Sequence, residues 1–163
     1  MTDISIRAFA RTDVPALQAI RAAAFAPVFQ SFRDLTGPAI APLAFAKADE
    51  QQAALLDTIC AADSLHRVFV AERGGAAIGF VSIHLNDAEK SGELGLNAVH
   101  PDAASRGVGA ALYEHALREM KRAGMAFAWV STGGDASHAP ARRAYEKVGF
   151  GGAIPSVVYY KLL

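Results

Sequence analysis

Asn97-Ala98-Val99-His100-Pro101-Asp102-Ala103-Ala104-Ser105-Arg106-Gly107-Val108-Gly109-Ala110-Ala111-Leu112 runs from an apolar strand through a glycine-bearing bend into a helix. Gly107 and Gly109 remove side chains that would keep a ligand off the backbone, and the first N–H groups of the helix have no partners within it. Those donors, with the positive end of the helix dipole, suit an anion such as a pyrophosphate. Two glycines at a strand–helix junction also serve as a plain tight connection, so the rest of the chain has to decide.

The 163 residues are 52% hydrophobic, enough to bury the core of one compact domain over residues 1–163, and no composition shift marks a second. Basic and acidic residues balance at 16 each, which leaves no bulk field for nucleic acid or an anionic membrane surface. Any anion site must be local. Cys60 is the only cysteine, which excludes an internal disulfide, and the five histidines show no zinc-ligand spacing, so no metal is expected. The start of the chain lacks a basic segment followed by an apolar secretory core, and no apolar run approaches the roughly 20 residues of a membrane-spanning helix. A cytoplasmic protein without membrane contact is the expectation.

Ile4, Ile6 and Ala8 alternate with polar residues as in a half-buried strand, and Thr12 or Asp13 is placed to cap a helix with Val14, Leu17, Ile20 and Ala24 on one side. Phe25 to Cys60, broken by Pro27, Gly37-Pro38 and Pro42, predicts two or three helical pieces, the last over about Asp49 to Ala61. Arg67–Glu72, Gly74-Gly75 and Ala77–Leu85 predict a hairpin. Glu93–Val99 is a third strand, Gly107–Ala123 a helix ended by Gly124, and Ala126–Ser131 a buried strand. Ala139–Val148 is a helix closed by Gly149, and Val157–Leu162 a final strand.

A dinucleotide-binding fingerprint would need a third glycine at position 112, where Leu112 stands, and an acidic end to the next strand, which reads Ser131-Thr132-Gly133-Gly134. No phosphate-binding GxxxxGK[ST] occurs. Instead, Val99-x-Pro101 followed by Arg106-Gly107-Val108-Gly109 is similar to the acetyl-CoA loop of the GNAT family of N-acetyltransferases, with Ala104 where Gln or Arg is usual. His138-Ala-Pro-Ala141-Arg-Arg-Ala-Tyr145-Glu-Lys147-Val-Gly149-Phe150 resembles the family's N-x-x-A-x-x-x-Y-x-K-x-G-F helix, departing only at His138. The resemblance covers Arg67 to Phe150. Phe25 to Cys60, which borders the acceptor site in that family, matches nothing that carries over.

The resemblance implies an α/β domain with a mixed, twisted and splayed sheet flanked by helices, and acetyl-CoA as cosubstrate. The backbone near Asn97, Ala98 and Val99 would face the pantetheine and thioester. The loop Ala104, Ser105, Arg106, Gly107, Val108, Gly109 would hold the pyrophosphate, with His138 in the place of a cofactor-contacting asparagine or simply beside the helix start. Tyr145 matches the tyrosine that protonates the departing thiolate, a task open to a phenol with a pKa of about 10; otherwise its ring packs in the core. Glu93 is the candidate general base, or else a solvated edge glutamate. Relatives that acetylate protein N-termini carry a glutamate where Gly133 stands, which counts against that substrate class.

His100 reads as a loop residue, His84 and His115 as partly buried structural histidines, and Phe25, Phe29, Phe32 and Phe45 as core rather than an assigned pocket. The expected reaction is direct acetyl transfer to a primary amine of a small molecule. The competing readings are a non-catalytic acyl-CoA sensor on the same fold, a protein or peptide N-acetyltransferase, and a nucleotide-dependent oxidoreductase. Homodimers are common in the family, and the sequence leaves that partner open.

Overall fold

A computed structural model describes residues 4–163, so the first three residues of the expected domain lie outside the description. Five strands lie in chain order: β1 (Ser5–Ala8), β2 (Arg67–Arg73), β3 (Ala76–Asn86), β4 (Ser91–Val99) and β5 (Phe127–Val130). The first four pair antiparallel and β5 runs parallel to β4. The helices are α1 (Val14–Ala44), α2 (Ala48–Ile59), α3 (Val108–Arg122) and α4 (Ala139–Lys147).

Alternation along the strands builds two cores. Phe69, Ala71, Val81, Ile83 and Leu94 face α3 and α4, meeting Val108, Leu112, Ala116 and Met120. Val68, Val70, Phe80 and Ala98 face the other way, onto Leu17 and Ile20 of α1 and Leu56 and Ile59 of α2. The hairpin turn falls at Gly74 and Gly75, both at positive φ (58° and 79°), as the glycine pair predicts.

The geometry that matters for function lies in β4. Ile83 pairs with Leu94 but Val81 pairs with Asn97, so β4 carries an extra residue in a bulge. Ser82, fully buried, donates its hydroxyl to the Leu96 carbonyl at 3.0 Å, supplying a partner where the ladder is interrupted. Gly95 allows the close approach, since a Cβ there would stand 2.6 Å from Ser82 Oγ. Pairing of β4 with β5 stops at Leu94–Val130, and beyond it the two strands part.

Several expectations need correction. The helix from Val14 does not stop at Pro27. Its one break before Ala44 is at Gly37, whose φ of 75° and ψ of 174° are non-helical, and Pro38 starts the next turn where its missing N–H costs nothing. Asp13 does not cap α1 with its side chain. Its carboxylate takes both Arg7 guanidinium nitrogens (2.7 and 2.8 Å) and the Ala10 N–H (2.8 Å), which also holds its pKa below the usual carboxylate range despite burial. β5 is not buried: with a neighbour on one side only, it leaves Phe127 and Trp129 56% and 43% exposed. Val157–Leu162 forms no strand. Gly152 sits at φ 66° and Pro155 lacks a donor, the segment is exposed, and Tyr160 rests edge-on on Phe45 (centroids 5.7 Å).

The connection between α1 and α2 rests on Arg21, which is buried although charged. Its guanidinium reaches Gln18 Oε1 and Asp49 Oδ1, each at 2.8 Å. No helix among the described residues is long and apolar enough to cross a membrane.

Candidate active site

Where β4 and β5 part, a cleft of about 790 Å³ opens between β4, the loop after it, the first turn of α3, α4 and the middle of α1. Past Leu94 no strand among the described residues pairs with the β5 side of β4, which leaves this edge open to a ligand. Glu93, Asn97, Ala98, Val99, Ala104, Ser105, Gly107, Val108, Gly109, His138 and Tyr145 all line the cleft. Arg106 is exposed and does not.

The loop forms an anion cradle at one end. Ser105 and Gly107 both sit at positive φ (60° and 81°), the left-handed turns from which backbone anion nests are built. Gly107 is the N-cap residue of α3, and the first intrahelical bond is Ala111 N–H to the Gly107 carbonyl (3.0 Å). The N–H groups of Val108, Gly109 and Ala110 therefore point out of the helix start without intrahelical partners. The two glycines differ in what they do. Gly107 is required by its left-handed backbone, whereas a Cβ at Gly109 would meet nothing nearer than the Tyr113 ring at 3.8 Å.

Midway along the cleft, Tyr145 is buried with its hydroxyl beside Asn97. Asn97 Nδ2 donates to the Gly95 carbonyl (2.9 Å) and to Tyr145 Oη (3.1 Å), and Tyr113 donates its hydroxyl to Asn97 Oδ1 (2.7 Å). The Tyr113 and Tyr145 rings lie 4.8 Å apart. Burial pushes the Tyr113 phenol well above its ordinary pKa, and Tyr145 adds to the effect, so Tyr113 stays a donor. Sequence reading assigned Asn97 only its backbone and passed over Tyr113. The available signal was its place one turn after Gly109, on the helix that leaves the anion loop.

At the start of α4, Asp135 Oδ1 and His138 Nδ1 are 2.6 Å apart, and the other carboxylate oxygen accepts from Ser31 of α1 (3.2 Å) and from Ser137. Burial acts to raise the Asp135 pKa, but the bonds from Ser137 and His138 outweigh it and hold the group at about 2. Phe32 stacks on His138 (5.7 Å, 24°). Gly133 is needed here: a Cβ would stand 2.4 Å from His138 Nδ1 and 2.5 Å from Asp135 Oδ1.

Glu93 is half-buried on the face of β4 opposite Asn97, cross-strand from His84. His84 and His66 lie 5.4 Å apart, and burial with His84 lowers the His66 pKa against the pull of Glu93. Glu93 and Asn97 face opposite sides of β4 with the bulge between them, so Glu93 makes no contact with the Asn97–Tyr145 pair. Cys60 lies in the α1–α2 core and does not line the cleft, its thiol pKa pushed up by burial and by Asp57 and Asp13. Phe25 and Val28 line the cleft, whereas Phe32 and Phe45 pack on each other (5.6 Å).

A family model described as the acetyltransferase (GNAT) family matches residues 29–150. No curated protein sequence is significantly similar to the chain. Among solved structures, the aminoglycoside N-acetyltransferase AAC(6')-Iy in complex with CoA superposes with a TM-score of 0.68 at 20% identity, over 99% of this chain and 96% of its own. The ribosomal-protein-S18-alanine N-acetyltransferase from Escherichia coli gives 0.64 at 24%, over 93% of this chain and 80% of its own. A transcriptional regulator from Bacillus halodurans gives 0.65 at 17%, over 98% and 100%. At these identities the likeness is one of fold: a five-stranded mixed sheet flanked by four helices.

Proposed function

Because the chain belongs to the GNAT acetyltransferase family, we propose that it transfers an acetyl group from acetyl-CoA directly to a primary amine of a small molecule, acting as one domain over residues 1–163. The observation that carries the reading is one cleft with an anion cradle at Ser105–Ala110, an unpaired β4 edge beside it, and a buried tyrosine hydroxyl on the opposite wall. Those features fit the pyrophosphate, the amide-bearing arm and the sulfur of CoA in turn. The thioester supplies the activated acyl group.

In this mechanism the N–H groups of Val108, Gly109 and Ala110 anchor the pyrophosphate, and the open edge at Asn97–Val99 aligns the arm. The acceptor amine attacks the thioester carbonyl, forming the C–N bond as the C–S bond breaks. Tyr145 donates its proton to the departing sulfur, and the proton shed by the nitrogen as it becomes an amide restores the tyrosine. A free amine has a pKa near 10, so it must lose a proton at neutral pH, and Glu93 accepts it through water. His138, held by Asp135, lines the cofactor wall.

The small-molecule acceptor is supported at Gly133. The glutamate that relatives acting on protein N-termini carry at this place would collide with the His138–Asp135 pair. The test is a panel of polyamines, amino-acid amides, aminoglycosides and peptides incubated with acetyl-CoA, read by release of free thiol. Turnover of a small amine supports the reading, turnover of peptides alone overturns the acceptor class, and CoA binding without any turnover favours a sensor.

A further inference from the structure

Asn97 and Tyr113 both line the cleft, and the mechanism above gives Tyr113 no task. The atoms of the Asn97 amide are assigned by chemistry. The Gly95 carbonyl can only accept, so the amide atom 2.9 Å from it is the nitrogen, and the atom 2.7 Å from Tyr113 is the oxygen. Tyr113 must therefore donate. With one Nδ2 hydrogen on Gly95, the second goes to Tyr145 Oη at 3.1 Å. The Tyr145 oxygen is thus occupied as an acceptor. Its own hydrogen reaches Asn97 Oδ1 only at 3.4 Å, a long bond to an oxygen that already accepts from Tyr113 at 2.7 Å.

The geometry points to Tyr113 as a positioning residue that, through Asn97, keeps the Tyr145 proton free and aimed at the CoA sulfur. The inference rests on Tyr145 being the proton donor. Without the Tyr113 hydroxyl, Asn97 Oδ1 loses its 2.7 Å donor and becomes available to Tyr145, whose proton would then be held inside the network and withheld from the cleft. The amide donation to Tyr145 Oη also stabilises the negative charge that oxygen gains as its proton leaves, so the same arrangement strengthens the acid.

The test uses CoA itself as probe and needs no acceptor. The ultraviolet absorbance of the thiolate is followed against pH for CoA bound to wild type, Tyr113→Phe, Tyr145→Phe and the double variant, with CoA affinity measured in parallel by calorimetry. A hydrogen bond from Tyr145 to the thiolate should lower the bound thiol pKa by about one unit relative to free CoA. Tyr145→Phe should abolish that shift. Tyr113→Phe, which keeps the ring packed, should remove at least half of it with CoA affinity changed less than twofold, and the double variant should match Tyr145→Phe. A Tyr113→Phe titration equal to wild type, or an effect that persists unchanged in the Tyr145→Phe background, overturns the inference while leaving Tyr145 in place. A wild-type shift that survives in Tyr145→Phe, or no wild-type shift, removes Tyr145 as donor and this role with it.

Discussion

Replacing Gly95 by alanine tests whether the cleft depends on the bulge built between this residue and Ser82. The new Cβ would stand 2.6 Å from Ser82 Oγ, and Ser82 is fully buried. Its hydroxyl must rotate away, breaking the 3.0 Å bond to the Leu96 carbonyl. The partly buried Leu96 carbonyl left without its partner costs about 1–3 kcal/mol, and a side chain pushed off its rotamer about 0.5–1.5 kcal/mol more. Gly95→Ala should therefore lose about 2–4 kcal/mol in urea unfolding. Ser82→Ala loses the same bond without the collision, about 1–2 kcal/mol. In the double variant the lost bond counts once, and the Ser82 Cβ lies 3.8 Å from the new methyl, an ordinary contact. The two changes should then couple by about 1–2 kcal/mol in a double-mutant cycle. Additivity within about 0.5 kcal/mol, or a Gly95→Ala protein as stable as wild type, would refute this account of the bulge.

Three further outcomes are expected. Gly107→Ala puts a side chain on a residue at φ 81° and should cost about 1–2 kcal/mol of stability and weaken CoA binding by calorimetry, whereas Gly109→Ala should leave the melting temperature unchanged; equal effects on stability would contradict the cradle geometry. Asp135, held at about 2 against an unfolded value of about 3.9, contributes stability that is full above about pH 4 and lost as pH falls towards 2. Denaturant midpoints between pH 5 and 2 should show that loss in wild type and not in Asp135→Asn, and parallel curves would count against the His138–Asp135 pair. Glu93→Gln should slow turnover at neutral pH by a factor that shrinks as pH nears about 10, where the amine is neutral unaided; a deficit independent of pH would remove Glu93 as base.

Much of the fold was legible because its signals are local. Period-two alternation wrote β2 to β4, Gly74-Gly75 wrote the hairpin, and Gly124 at φ 80° marked the end of α3. The cleft residues were legible for the same reason: Val99-x-Pro101, the glycine bend and the α4 motif each lie within a short stretch, and they converge on one cleft. What was hidden depends on partners far along the chain. The bulge at Gly95 needs Ser82 of another strand, Arg21 is buried because Asp49 of α2 reaches it, and Tyr113 matters because Asn97 lies across from it. The β-prone residues Val157–Leu162 wrote a strand that no neighbour pairs with, and aromatic Phe127 and Trp129 suggested burial on a strand that lies at the sheet edge. Arg106 carried the right charge in the right loop, yet its side chain stays outside.

Recognition of CoA by the β4–α3 cleft is the central claim, and a melting-temperature comparison with acetyl-CoA, CoA and NAD in parallel tests it most directly. At about 100 times the dissociation constant, a bound ligand adds about 2.7 kcal/mol, which for a chain of this length raises the midpoint by roughly 5 to 10 °C. The account predicts that rise with acetyl-CoA and CoA and none with NAD. No rise with either CoA species, or a rise with NAD alone, would contradict it.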